Sequence, residues 1–325
     1  MNNISLEGLD FKDTYLVPQY STIGSRSEVD ISVTLGTRKI PVPVISANMD
    51  TVTGPHMAIA MFQAGGIGAL HRFMSIEDNV EAYRRVRESN SECFVSIGVN
   101  RDSKERAQAL YQADARRFVI DIAHGHSQMM REMMEWLKGE YPDIFLMAGN
   151  VATRKATTDL WKWGADAIKV GIGPGAVCTT KNVTGVTVPQ LGAIQECASQ
   201  WSPRGPLIVA DGGLREFGDI AKALAAGAHM VMAGGLFAGT DEAPGDLVEG
   251  KKVYRGMASK GAMMTIRSES MLPTPEGTST LVETKGPVGD IVGGIAGGLR
   301  SAFSYSNART LMEFHDRAVF GIKRG

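Results

Sequence analysis

Eight apolar runs of strand length recur along the chain, at residues 42–47, 66–70, 93–99, 118–122, 144–148, 167–171, 207–210 and 230–234. Each is short and rich in Val, Ile or small residues, and none alternates apolar with polar positions. A strand covered on both faces has this pattern, whereas a strand with one wet face alternates. Helical stretches separate the runs. Residues 76–86 are amphipathic at the helical period, as are 154–163 and 217–226. Residues 127–138 put Met129, Met130, Met133, Met134 and Leu137 on one broad stripe. Such a stripe is expected to be core, because methionine fills irregular gaps.

Strand then helix, eight times over, predicts an α/β fold with a parallel sheet closed as a (β/α)8 TIM barrel, in a single domain over 1–325. On pattern alone, an open doubly wound sheet is the alternative. About twenty residues separate the second run from the third, room for one helix and no inserted module. Residues 239–285 differ: they are rich in Pro, Gly, Ser and Thr and have no long period. They are expected to form a mobile flap after the eighth strand, roughly 240–285.

The hydrophobic fraction of 43% allows a large core without disulfides. Basic and acidic residues balance at 34 and 35, so charge gives no reason to expect a nucleic acid or an anionic membrane as partner. No apolar run reaches the roughly 20 residues of a membrane helix. The first seven residues lack the regions of a signal peptide. Cys93, Cys178 and Cys197 are widely spaced and odd in number, the pattern of reduced thiols in a cytosol.

In a barrel of this kind, chemistry gathers on the loops after the strands. Polar residues fall there. Asn48, Met49 and Asp50 follow the first run, and His71 and Arg72 the second. Asp121 and His124 come after the fourth, Asn150 after the fifth, Asp211 after the seventh, and Gly234 and Gly235 after the eighth. The sharpest signal follows the sixth run, where residues 171–180 read Gly-Ile-Gly-Pro-Gly-Ala-Val-Cys-Thr-Thr. Glycines and proline give a tight turn that exposes backbone carbonyls and amides. Cys178 at its tip can be a nucleophile, since a thiolate attacks electrophilic carbon well, or a structural thiol. Cys93 and Cys197 lie in apolar runs and read as structural. His124 and His126 have no evident third partner, so hydrogen bonding is favoured over metal binding.

This loop resembles the catalytic cysteine loop of the IMP dehydrogenase and GMP reductase family. The resemblance spans nearly the whole chain. It includes Ala47-Asn48-Met49-Asp50-Thr51, Ala148-Gly149-Asn150-Val151, Lys169-Val170-Gly171, Ala210-Asp211-Gly212-Gly213 and Tyr254-Arg255-Gly256-Met257. It implies Cys178 as nucleophile toward C2 of a purine monophosphate. It also implies Thr180 as acid/base residue and Glu276, in the flap pair Glu276-Gly277, as catalytic carboxylate. Asn48 and Met49 fall on the substrate side, with Asp211 on ribose hydroxyls, Gly213, Gly234 and Gly235 on phosphate, and Tyr254, Gly256 and Met257 on phosphate and base. Asp121, Ala123 and Asn150 fall on the nicotinamide side. Without a Gly-x-Gly-x-x-Gly fingerprint, the cofactor is expected across the barrel mouth. The resemblance further implies a monovalent cation, K+, on the carbonyls of Gly173, Gly175 and Cys178, a cytoplasmic homotetramer, and GMP or IMP as ligand.

Of the two family branches, the residues favour the reductase, which turns GMP and NADPH into IMP and ammonia. Asn48 is typical of reductases, and Arg267 is followed by Ser268 where the dehydrogenase flap carries an Arg-Tyr pair that activates water. The alternative is an IMP dehydrogenase without the CBS module, and Thr51-Val52-Thr53 and residues 237–245 resemble that branch. Two departures stand out. Ala176 replaces a serine usual in both branches, and Lys260 stands where many reductases have an acidic residue.

Overall fold

The computed structural model describes residues 5–100, 102–264 and 274–323. The eight expected strands are present as β1 Val44–Ser46, β2 Ile67–Leu70, β3 Cys93–Ile97, β4 Arg117–Asp121, β5 Phe145–Val151, β6 Ala167–Val170, β7 Leu207–Asp211 and β8 Met230–Ala233. All neighbours are parallel, and β8 closes on β1 by pairing Val231 with Val44 and Ala233 with Ser46. The open-sheet alternative is thereby excluded. Helices follow the strands as α1 Pro55–Gln63, α2 Ile76–Glu88, α3 Ser103–Gln112, α4 Gln128–Glu140, α5 Arg154–Lys162, α6 Gln190–Ala198, α7 Phe217–Ala225 and α8 Val288–Tyr305. Three of them start where a hydroxyl residue caps the first turn: Ser75 accepts from the Asp78 amide, Ser127 from Met130 and Thr153 from Ala156. None of the described helices is long and apolar enough to cross a membrane.

Strand residues divide between two cores. Val44, Phe118, Ile120, Ile168 and Val170 face the helices, while Ile45, Phe94, Val119, Met147, Ala167 and Met232 fill the barrel interior. Both faces are dry, which is why the runs do not alternate. A hairpin of Val33–Leu35 and Arg38–Ile40 adds Val33, Leu35 and Ile40 to the interior cluster and plugs its lower end. Thr14–Val17 pairs antiparallel with Val319–Ile322, clasping the two ends of the chain. In α4, Met130, Met133, Met134 and Leu137 are buried as expected, but Met129 is about half exposed at 52% and lies outside the stripe.

The segment expected as a flap over roughly 240–285 carries regular structure. Residues 247–283 contain a three-stranded antiparallel sheet of Leu247–Val248, Lys251–Arg255 and Ser279–Glu283, with a short helix Lys260–Met263 between its last two strands. The missed signal is Glu249-Gly250, both at positive φ, the backbone of a two-residue hairpin turn. Lys252 is buried and donates to the carbonyls of Thr240 at 2.8 Å, Asp241 at 3.1 Å and Ala243 at 2.7 Å. The sheet is thus anchored to the segment that leaves β8.

Gly68 lets α1 lie against β2: a Cβ there would meet the Ala58 Cα at 2.7 Å. Overpacking against backbone cannot be relieved by a rotamer change. Gly68→Ala is expected to cost about 1–3 kcal/mol, read as a lower urea midpoint at unchanged slope; an unchanged midpoint refutes the contact.

Two buried histidines set a pH dependence. Burial lowers the pKa of His71 to about 4, against an opposing pull from Asp50, and that of His229 to about 3. His71 Nδ1 accepts from the Phe73 amide and His229 Nδ1 from the Ile208 amide, so both rings are bonded as neutral imidazoles. Below pH 6.5 the unfolded chain protonates them while the folded chain does not. The unfolded state then binds more protons, and stability rises with pH through the window from about 4 to 6.5. Each histidine contributes a slope of up to about 1.4 kcal/mol per pH unit. Urea titrations across that window should show the rise, flattened in His229→Asn, and a flat parent profile would contradict it.

Candidate active site

Closure of the barrel brings the ends of β1, β4, β5, β6 and β7 around one mouth. At its floor lies Lys169 on β6. Its neighbours Ile168 and Val170 face outward, so strand parity turns Lys169 inward, with only 2% exposed. Its ammonium contacts Asp121 Oδ1 on β4 at 2.6 Å and Asp211 Oδ2 on β7 at 2.6 Å, and donates to Asn150 Oδ1 on β5. Asn150 Nδ2 donates to Asp211 Oδ2 at 2.9 Å and to the Gly171 carbonyl at 2.8 Å. Asn48 Nδ2 donates to Asp121 Oδ2 at 3.0 Å. Burial alone would lower the Lys169 pKa, but the two carboxylates outweigh it and the pKa is raised. Burial likewise opposes ionisation of Asp121, yet Lys169, Arg72 and Asn48 together hold its pKa below the ordinary range. Gly149 makes this assembly possible: a Cβ there would meet Lys169 Cβ and its carbonyl at 2.6 Å.

Beside this floor rises the loop after β6. Gly171 sits where a Cβ would meet the Asp211 carbonyl at 2.1 Å. Gln190, buried at the start of α6, donates to the carbonyls of Val170 at 2.9 Å and Asp211 at 3.1 Å. The loop is therefore fixed to both β6 and β7. Cys178 is half-buried, and its Sγ donates to Thr180 Oγ1 at 3.2 Å. Cys93 and Cys197 are buried, and burial pushes each thiol up to about 12. They are structural, as expected.

The returning part of the flap is stitched to the cysteine loop. The Thr179 amide donates to the Glu276 carbonyl at 2.9 Å, and the Thr278 amide to the Val177 carbonyl at 2.9 Å. The Glu276 amide donates to Ala258 at 3.0 Å and the Gly256 amide to Thr278 at 3.0 Å. Gly277 bridges Cys178 on one side and Ser259 on the other. Side chains would hold these strands apart: a Cβ on Gly256 would lie 3.0 Å from the Val177 carbonyl, and one on Gly277 3.0 Å from the Ser259 amide nitrogen. The flap base is also tied to β1, where Arg255 forms a forked ion pair with Asp50 and the Asp50 amide contacts Met257 Sδ at 3.3 Å.

Beside the cysteine loop, Gly212 and Gly213 after β7 have φ of 87° and 77°, and their turn packs on Pro174. Gly234 after β8 lies where a Cβ would meet Met49 Sδ and Tyr254 Oη, each at 2.7 Å. Burial, reinforced by Asp211, raises the Tyr254 phenol to about 12, so it stays a neutral hydroxyl. The glycine rims of β7 and β8, Met49 and Tyr254 thus form one wall of the mouth.

The structure gathers Asn48, Met49, Asp121, Asn150, Cys178, Thr180, Asp211, Gly213, Gly234, Gly235, Tyr254, Gly256, Met257 and Glu276 on one end of the barrel. Asp121, Asn150 and Asp211 lie within the last residues of their strands, not after them. Asn150 has both halves of its amide engaged in the floor network. Ala123 and His124 are exposed beyond Asp121. His126 pairs with Asp159 at 2.9 Å, the hydrogen-bonding role expected for it, and no cluster of three or more His, Cys, Asp or Glu suited to a metal occurs among the described residues. Arg267 and Ser268 lie outside the described residues, as do residues 1–4. Sequence reasoning gave no role to Lys169 or to the Asp50–Arg255 pair. A lysine inside the apolar run 167–171 was the available signal for the first.

Comparison with known proteins agrees with this geometry. The family model described as IMP dehydrogenase / GMP reductase domain matches residues 8–323. Inosine-5'-monophosphate dehydrogenase of Aquifex aeolicus is 32% identical, covering 97% of this chain and 92% of its own, and that of Nitrosopumilus maritimus is 32% identical, covering 97% and 95%. The first alignment runs over 454 residues against 325 here, so that relative carries a long stretch without counterpart. A cysteine-to-alanine variant of GMP reductase from Trypanosoma brucei, solved in complex with guanosine 5'-monophosphate, superposes with a TM-score of 0.91 at 30% identity, covering 98% of this chain and 96% of that one. With a family match over nearly its whole length, relatives of 32% identity and a solved barrel of the same fold, the chain belongs to the IMP dehydrogenase / GMP reductase family of oxidoreductases.

Proposed function

We propose that the protein is a GMP reductase, which deaminates and reduces GMP to IMP with NADPH. The observation that carries the covalent chemistry is the Cys178 Sγ to Thr180 Oγ1 contact of 3.2 Å, with the Glu276 main chain bonded alongside through Thr179; Asn48, and Ser268 after Arg267 in place of an Arg-Tyr pair, favour the reductase branch. Cys178 donates its proton to the Thr180 hydroxyl as Thr180 passes its own to the Glu276 carboxylate, and the sulfur adds to C2 of the purine as the C2–N3 π pair moves onto N3. Thr180 and Glu276 then deliver a proton to the 2-amino group, which leaves as ammonia, so the pair acts as base and then as acid. A bound reduced nicotinamide supplies the hydride at C2. Cys178 leaves as thiolate when the C2–H bond is in place, and IMP results.

The floor network fits this chemistry. Asp211 has one oxygen bonded to Lys169 and Asn150 and can offer the other to a ribose diol. The glycine rims after β7 and β8 fit a phosphate, where a side chain would block approach. The donor set on the β4 side fits a nicotinamide: ionised Asp121 is an acceptor for a carboxamide, and exposed Ala123 and His124 border open space. Carbonyls of Gly173, Gly175 and Cys178 would hold a monovalent cation; the Gly175 carbonyl already accepts from the Cys178 amide and keeps one lone pair for it. A homotetramer is proposed from the family alone.

The dehydrogenase names of the sequence relatives favour a second reading, oxidation of IMP with NAD. One assay separates the two. Given GMP with NADPH, or IMP with NAD, the purified protein should oxidise NADPH and release ammonia in the first mixture; NADH formed in the second would overturn the reductase reading. Cys178→Ala should lower turnover by at least about a thousandfold, as expected when a covalent nucleophile is removed, while calorimetry still shows GMP binding. A variant that keeps turning over would remove Cys178 from the mechanism.

A further inference from the structure

Lys169 is the group that touches both halves of the mouth. Its three N–H donors are all engaged, by Asp121, Asp211 and Asn150. The other groups facing this cluster are Asn48 on Asp121 Oδ2, Arg72 acting on Asp121 from the end of β2, and the neutral Tyr254 hydroxyl near Asp211. Remove the ammonium, and two carboxylates from β4 and β7 remain in one half-buried site. Like charges so close do not both stay ionised, and the pair takes up a proton.

We infer that Lys169 is a positioning residue whose single ammonium bonds both carboxylates, setting Asp121 and Asp211 side by side and aimed at the mouth together. The inference rests on the reading above, that Asp211 meets the nucleotide ribose. It separates two roles that a lysine in an active site could play. With its donors engaged and its proton held, Lys169 does not take part in proton transfer, which stays with Thr180 and Glu276. Its contribution is electrostatic: it lets one carboxylate serve the nucleotide and the other serve the cofactor, from opposite strands, without repelling each other. Asn150 completes the arrangement by bonding Lys169 and Asp211 at once, which fixes the angle between them.

The test reads nucleotide binding, not turnover. Affinity for GMP and for IMP would be measured by calorimetry from pH 6 to 9 in the parent, in Lys169→Met, and in Lys169→Met with Asp121→Asn. The single variant should bind about 30-fold or more weakly at pH 7, the loss expected when one partner of a buried charge pair is removed. It should also show an ionisation in the binding profile that the parent lacks. In the double variant, with one carboxylate gone, nucleotide affinity should recover to within about tenfold of the parent and the extra ionisation should vanish, because the coupled pair is broken. A purely structural lysine would give no new ionisation and no recovery, and either result overturns the inference. Should Lys169→Met fail to fold, the double variant alone decides: parent-like binding supports the shared-charge role, and persistent loss refutes it. Asp211→Asn is the control for the underlying reading. Unchanged nucleotide affinity there would overturn the ribose assignment, a failure distinct from absent rescue.

Discussion

Closure of eight parallel strands is the constraint from which everything else in this molecule follows. Once β8 pairs with β1, no strand edge remains and every strand end points to the same mouth. Residues far apart in sequence then become neighbours: Asn48 reaches Asp121, Asp121 reaches Lys169, and Lys169 reaches Asp211. The interior just below is packed with Phe94, Val119, Met147 and Met232. Water is therefore excluded beneath the network, and the buried ammonium of Lys169 finds its partners only among the side chains around it. A lone buried ammonium would be costly in that setting, whereas one held by two carboxylates and an amide is sustained.

A second constraint acts on the flap. Its return segment joins the cysteine loop by main-chain hydrogen bonds that run from Val177 to Thr278 and from Thr179 to Glu276. Glycine at 256 and 277 is what allows these chains to approach, since a Cβ at either place would strike backbone atoms. The Arg255–Asp50 pair and Lys252 hold the outgoing half. Cys178, Thr180 and Glu276 thus come from two segments whose backbones are bonded together, one anchored by β6 and β7 and the other by β1 and β8. Small changes in the flap base would be felt at Cys178 through that seam.

Much of this was legible in the chain. Apolar runs without alternation revealed strands covered on both faces, because a strand in a barrel sheathed by helices has no wet side. The amphipathic period over 76–86, 127–138 and 154–163 marked α2, α4 and α5. The Gly-rich loop marked Cys178, and its separation from buried Cys93 and Cys197 followed from the apolar character of their runs. The flap sheet was harder to see. Its strands are short and its middle strand Lys251–Arg255 buries a lysine, so hydrophobicity gave no signal. Only the positive-φ turn at Glu249 and Gly250 distinguished it from a loop.

What the sequence by itself determined was the order of strands and helices and the residue types able to do chemistry, because both depend on local pattern. Which of those residues work together was decided only by the tertiary structure. Lys169 reads as an oddity in an apolar run until strand parity turns it inward and closure sets Asp121 and Asp211 on either side of it. Asn150 and Asp211 are 61 residues apart in sequence yet share a hydrogen bond of 2.9 Å. Charge compensation over such separations has no sequence period to announce it, since it exists only where the fold removes water and leaves each charge to find its partner.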